Sequence, residues 1–358
     1  MSPDFSREPP RRICVLRLSA LGDVCHALPV VRTLQDAWPS AQVTWVLGKL
    51  EHKLLGHLPD IEFVVFDKKA GRAAYAGLRE CMAGREYDVL LHMQLAIRAS
   101  LAAALIPARV KVGFDRARAH ELQWLFTNSR IAPRVREHVL DGLFGFAEHL
   151  GLHQRSMRWD IPLPEPALEY ARHAIPDGQP TFVVSPCSSH ALRNWSPERY
   201  AAVADQAAAR HGLRVLICGG RSDLEVQYGK RIAALMHHSC VNLVGKDTLL
   251  EFLATLQRAT VLLSPDSGPA HMATAVGTPV IGLYAATRLS RCGPYYSRQW
   301  CVDRYEAAAR RFRRRTPEQL PWTRKIEEPG VMDLITPADV IERLDALMAA
   351  GAPRTPTG

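Results

Sequence analysis

Residues 19–23, Ser-Ala-Leu-Gly-Asp, stand between an apolar strand-like run at 13–18 and an apolar pattern of helical period. A carboxylate one residue after a glycine, at the carboxyl end of a strand, has two uses. It can accept a backbone N–H and cap the helix, or it can stay ionised and take a proton from a substrate hydroxyl within hydrogen-bond reach. For Asp23 the residues alone leave both open. A second loop, "SPCSSHALRNWSPERY" at 185–200, sets the hydroxyls of Ser188 and Ser189 and the guanidinium of Arg193 just before a helix opened by Ser196-Pro197. Hydroxyls, a guanidinium and the free amides of a helix start suit a phosphate. The third, "SPDSGPAHMATAVGTPVIGLY" at 264–284, runs from a strand through Asp266, Ser267 and Gly268 into a helix of small residues. Gly268 permits close backbone approach, and the helix start offers amides to a diphosphate. His271 falls in the first turns of that helix, either facing the same anion or satisfied in the core.

Other chemistries lack their residues. There is no GxGxxG, GxxxxGK[ST], GxSxG, HExxH or paired-cysteine pattern, which disfavours a dinucleotide enzyme, an NTPase, an α/β hydrolase and a zinc site. The eight cysteines are scattered, several within apolar runs, as expected of free thiols in a reducing compartment.

These loops need scaffolds, and the surrounding pattern supplies two. In the first half, short β-rich runs ("ICVLRL", "QVTWVL", "IEFVVF", "DVLLHM") alternate with helical stretches, which points to a parallel sheet covered on both faces. Pro29 either begins the first helix or kinks it. A proline-rich stretch, "WDIPLPEPALEY", reads as a linker, and the alternation restarts at "TFVVSP". The expectation is an α/β protein of two Rossmann-like doubly wound domains facing a central cleft, with ligands at the carboxyl ends of the strands. "TPADVIERLDALMA" ends the chain as a helix with N-cap Thr336 and Asp339 three residues on.

At 358 residues and 47% apolar the chain can build two cores. No run is long enough to span a bilayer, and "MSPDFSREPPRR" lacks the apolar core of a signal peptide, so a cytoplasmic protein is expected. The net charge of +9 favours anionic partners. The densest basic run, "RRFRRR" at 310–315, reads as a solvated helix face; with one Phe it lacks the aromatic platform of a nucleic-acid binder, and no nucleic-acid partner is expected.

Taken together, "RLSALGDVCHALPVV", "CSSHALRNWSPERY" and "LLSPDSGPAHMATAVGTPVIGLY" resemble the family 9 glycosyltransferases, the lipopolysaccharide heptosyltransferases. The likeness runs from about residue 12 to 349, with the GDxxHxLP and PDSGPxHxAxAxGTP patterns in order. "WVLGKLEHKLLG", "VGFDRARAHELQWLFTN", "GPYYSRQ" and "LPWTRKIEEPGVMDLIT" are most similar to the heptosyltransferase I type, whose acceptor is a phosphorylated Kdo.

The resemblance implies a GT-B fold: an acceptor-binding domain at 1–165, an ADP-sugar-binding domain at 166–335, and a C-terminal helix and tail at 336–358 that can pack back on the N-terminal domain. It implies inverting transfer of heptose from ADP-heptose to Kdo of Kdo-lipid A, with no metal and no cofactor, at the cytoplasmic face of the inner membrane, to which the enzyme would attach peripherally. Another inner-core heptose or a protein is the alternative acceptor. Carried over by position, Asp23 is the general base and Arg193, where many relatives have lysine, neutralises the departing diphosphate. Ser188, Ser189, Asp266, Ser267, Gly268 and His271 would hold the donor, with Asn242 and Lys246 near its nucleoside. Asn242 departs from a glutamate of some relatives, and Leu95 stands where many have glycine. Gly22, Gln94 and Arg98 would line the acceptor side, with Lys68, Lys69, Arg116 and Arg118 as candidates for an acidic acceptor.

Overall fold

The computed structural model describes Phe5 and residues 8–354. The chain divides after Pro162 into two compact units.

In the first unit, β1 (Arg12–Leu16), β2 (Gln42–Gly48), β3 (Ile61–Phe66), β4 (Tyr87–His92), β5 (Ala108–Gly113) and β6 (Ser129–Arg130) form one sheet in the order β3-β2-β1-β4-β5-β6. Every pairing is parallel. The second unit repeats the plan with β7 (Thr181–Val184), β8 (Arg214–Ile217), β9 (Cys240–Asn242), β10 (Val261–Pro265), β11 (Val280–Tyr284) and β12 (Val302–Asp303), ordered β12-β11-β10-β7-β8-β9, again all parallel. Read from its first strand, each sheet has the Rossmann order 3-2-1-4-5-6. The crossover direction therefore reverses between first and fourth strand, which opens a crevice at their carboxyl ends. The apolar runs of β1, β7 and β10 are continuous because helices cover both faces: Cys14, Val15, Leu16, Phe182, Val183, Leu262 and Leu263 are fully buried.

The first helix spans Leu21–Ala37 with Pro29 inside it, so Pro29 does not begin it. The Thr33 hydroxyl donates to the Pro29 carbonyl at 2.9 Å. The proline-rich stretch is only partly a linker. Trp159 is buried and donates its indole N–H to Cys25 O at 2.7 Å, while Ser156 N–H donates to Thr33 Oγ1, which fastens this segment to the first helix.

The C-terminal helix, Pro337–Ala349, has the capping box expected of Thr336 and Asp339. Val340, Leu344 and Leu347 enter the second unit's core beside Tyr200, Val203 and Val302, because its apolar stripe matches the face left open by helix Pro197–His211 and the β11–β12 edge. The basic run lies on a short π-helical turn, Ala309–Arg313, where Arg310 pairs with Glu306 and Arg313 with Glu328.

Candidate active site

In the first unit the ends of β1 and β4 converge. Leu18 N–H donates to Gln94 Oε1 at 2.7 Å, and Gln94 Nε2 reaches Ser19 Oγ at 3.3 Å, so the buried Gln94 ties the strand end to the turn carrying Asp23. Gln123, which the sequence did not bring forward, straps the next strand on: its Nε2 donates to His92 O (2.9 Å) and Gln94 O (3.1 Å), and its Oε1 accepts Phe114 N–H. Burial, with Arg17 and Lys111 adding to it, pushes the His92 ring down to about 3, so it sits neutral against Ser100 Oγ at 3.0 Å.

Asp23 is the third residue of its helix, behind the buried Gly22. Its Oδ2 accepts the Ala20 N–H at 2.9 Å, closing the first turn. Its Oδ1 lies 2.7 Å from Arg17 Nη2, and the carboxylate still keeps about a third of its surface in solvent. Arg17 in turn donates to Met93 O. Capping and availability coexist: one oxygen holds the turn, the other is held by a cation. The apolar run at 13–18 contains Arg17, but β1 ends at Leu16, and the mostly buried Arg17 side chain turns to Asp23. Glu51 is a second carboxyl near this site. Its burial pushes it above the ordinary glutamate range, Asp23 adds to that, and its own backbone and Lys68 oppose it.

The expected acceptor cations divide. Lys68, Lys69, Arg98 and Arg116 are exposed. Arg118 is engaged by Asp115, Glu137 and the Ala132 carbonyl, which makes it a strut of its loop.

In the second unit the ends of β7 and β10 carry the corresponding site. Arg193 lies in the turn Ala191–Arg193 with its guanidinium mostly buried. Its Nη2 is 2.6 Å from Glu327 Oε1, its Nε donates to the same oxygen at 2.7 Å, and its Nη1 is 3.5 Å from Asp266 Oδ2. Burial would raise the Glu327 carboxyl, but Arg193, with His190 and Lys325, holds it below the ordinary glutamate range. Glu327 is a further residue that the sequence did not bring forward, 134 positions from its partner.

Asp266 leads through Ser267 into helix Gly268–Ala275. Ser267 Oγ is 2.8 Å from Ser264 Oγ and does not cap the helix, and His271 is buried in its first turns. Ser188 Oγ donates to His190 O at 3.0 Å, Ser188 N–H donates to Asn194 Oδ1 at 2.7 Å, and Ser189 is exposed. Arg193, Asp266 and the helix start thus form one group.

Asn242 and Lys246 lie elsewhere, at the end of the edge strand β9. Asn242 Oδ1 accepts Val244 N–H, and Lys246 Nζ donates to Asn242 O at 2.7 Å. Helix Asp223–Leu235 packs on Asn242 so closely that a Cβ at Gly229 would come within 3.0 Å of its Oδ1. Nearby, Glu225 accepts from Gly220 N–H and Ser222 Oγ, closing the turn after β8. Asp247 Oδ2 and Tyr170 Oη are buried without a hydrogen-bond partner among the described residues. Burial pushes Asp247 up to about 7 and Tyr170 up to about 12.

The first unit thus holds a carboxylate steadied by an arginine at a strand end, and the second an arginine beside a helix N-terminus. Comparison with known proteins shows the family and the fold. The Haemophilus influenzae lipopolysaccharide core heptosyltransferase OpsX is 38% identical over 340 residues, covering 95% of this chain and 98% of the relative. The structure of a family 9 glycosyl transferase from Veillonella parvula matches 95% of this chain and 97% of its own at a TM-score of 0.77 and 23% identity. Escherichia coli heptosyltransferase WaaC, solved with ADP, matches 94% of this chain and 99% of its own at 0.71 and 20%. These likenesses establish the GT-B fold. The model of glycosyltransferase family 9 (heptosyltransferase) matches residues 76–321, and with it the chain belongs to that family.

Proposed function

We propose that this glycosyltransferase moves heptose from ADP-heptose to Kdo of lipid A-linked Kdo during assembly of the lipopolysaccharide core. The observation that carries this reading is Asp23 at the β1 end, with one oxygen closing the turn and the other against Arg17. Asp23 takes the proton of the acceptor hydroxyl as that oxygen attacks the anomeric carbon; the bond from that carbon to the diphosphate breaks, and ADP leaves with the electron pair. Inversion follows from a single displacement. Arg193 and the amides at the start of helix Gly268–Ala275 face the charge that develops on the departing diphosphate. Charge neutralisation by these groups is why the transfer is proposed to need no metal. WaaC with bound ADP supports the adenine nucleotide as donor. The acceptor is anchored in lipid, so the enzyme works on it from the cytoplasmic face of the inner membrane; among the described residues no helix is long and apolar enough to cross one.

The test is ADP release from ADP-heptose with Kdo-lipid A, with and without Kdo phosphate, for wild type and Asp23→Ala. Turnover that needs the acceptor, survives EDTA and falls by about a hundredfold or more in the variant supports the reading. Wild-type turnover on an inner-core heptose or a protein, and on neither Kdo acceptor, moves the function to that acceptor. Near-normal turnover by Asp23→Ala returns Asp23 to capping alone.

A further inference from the structure

The first unit leaves five large apolar side chains in solvent within one neighbourhood. Ile97 and Leu101 are 41% and 45% exposed on helix Ile97–Ala104, four residues apart and so on one face. Leu122, Trp124 and Leu125 are 52%, 36% and 59% exposed on the loop after β5. Two contacts hold the pieces together. Glu121 Oε2 accepts the Ile97 N–H at 2.6 Å, and Leu125 shares the walls of an open groove with Ala104 at the other end of the helix.

The backbone presents these side chains outward. Glu121 and Leu122 both lie in the left-handed region, at φ 50° and 60°, where non-glycine residues are rare. Between the exposed leucines and Trp124, Gln123 points inward and is fixed to the ends of β4 and β5. The loop is thus anchored by its polar residue and exposes its apolar ones, the reverse of the usual partition.

The rim is basic. Arg98 is exposed on the helix, and the Arg116 guanidinium sits 5.8 Å from the Trp124 ring centre. The Tyr75 hydroxyl donates to Arg98 O at 3.3 Å, which brings in helix Arg72–Met82 with exposed Arg72 and, just before it, Lys68 and Lys69. The carboxylates nearby have partners: Glu121 holds Ile97 N–H, Asp115 holds Arg118, and Asp67 holds Lys69 N–H.

We propose that this patch is the surface by which the enzyme sits on an anionic bilayer, with Ile97, Leu101, Leu122, Trp124 and Leu125 entering the headgroup boundary and the basic rim meeting acidic headgroups. Aliphatic side chains and a tryptophan among arginines and lysines are the composition of an interfacial anchor. A second copy fits poorly, because a symmetric contact would set each basic rim against its like. The inference deepens the function proposed above, resting on it only for the lipid-anchored acceptor. Helix Ile97–Ala104 begins three residues after Gln94, so the bilayer would be met beside the β1–β4 crevice.

The experiment is co-sedimentation of the full chain with phosphatidylcholine vesicles and with vesicles containing about 30% phosphatidylglycerol, comparing wild type with Leu101→Ser/Leu122→Ser/Leu125→Ser. Ile97→Ser/Leu101→Ser serves as a second variant, and thermal melts confirm folding. Wild type should bind the anionic vesicles, less at high salt, and the triple variant at least about tenfold more weakly. Turnover on a delipidated Kdo acceptor should be unchanged in the triple variant, while turnover on acceptor embedded in vesicles falls. Absence of wild-type binding to anionic vesicles, wild-type-like binding by both variants, or a solution dimer that the triple variant breaks would overturn the proposal. The predicted vesicle binding without turnover on any Kdo acceptor would keep the docking surface and reject the acceptor.

Discussion

The crevices of the two units are built on the same strand order but with opposite charge logic. At the end of β1 the carboxylate proposed as base is steadied by a cation: Asp23 against Arg17 at 2.7 Å. At the ends of β7 and β10 the cation proposed to meet the diphosphate is steadied by carboxylates: Arg193 against Glu327 at 2.6 Å and Asp266 at 3.5 Å. The partners differ in consequence. Arg17 braces the carboxylate while leaving about a third of its surface in solvent. Glu327 engages two nitrogens of the Arg193 guanidinium, so on the proposed role donor binding would loosen that pair. One partner sustains the working group; the other guards it.

The largest effect should come from breaking the first pair. Arg17→Met removes the charge and the link to Met93 O while keeping an apolar stem. We expect kcat to fall by about tenfold or more, with Arg17→Lys restoring part of the loss. Arg17→Lys as impaired as Arg17→Met would make Arg17 a packing residue. The second pair should respond in the opposite sense. Glu327→Gln leaves a neutral partner, so KM for the nucleotide sugar should fall by about three- to tenfold with kcat little changed. A raised KM would show that Glu327 positions Arg193, and the contrast between the two crevices would fail.

What the sequence disclosed follows this division. The acting groups lie in loops with local signals: glycine before Asp23, proline and serine around Arg193, and a small-residue helix after Asp266. Their partners are fixed by tertiary structure. Glu327 sits in a proline-flanked stretch with no periodicity, and Arg17 is a charged residue at the end of an apolar run. The strand-helix alternation was legible where strands are central and wholly apolar. β5, "ARVKVG", alternates apolar with charged residues and so lacks the continuous apolar run of its neighbours, and β6 and β12, at the sheet edges, have two residues each, too few to show a pattern. The terminal helix was legible as a helix, but an amphipathic stripe does not say which core it completes.

The smallest effect separates stability from catalysis in the second unit. Asp247 is a carboxyl pushed from 3.8 to about 7, chiefly by burial, with one oxygen unpartnered. Its folded value lies above its unfolded one, so the folded state holds the proton more tightly. The stability this contributes is full below about 4 and is lost as pH rises through about 7. His92 in the first unit has the reverse dependence, its ring pushed from 6.5 to about 3, so its contribution is lost as pH falls through that window. Asp247→Asn removes only the first dependence. The variant should match wild type near pH 4 and be more stable at pH 8 by about 1–2 kcal/mol, a rise in Tm of roughly 2–8 °C for a unit of this size. Melting curves at the two pH values decide it. Equal shifts at both would mean that the amide changes packing and not charge, and an unchanged Tm at pH 8 would mean that water reaches the carboxylate in the folded protein.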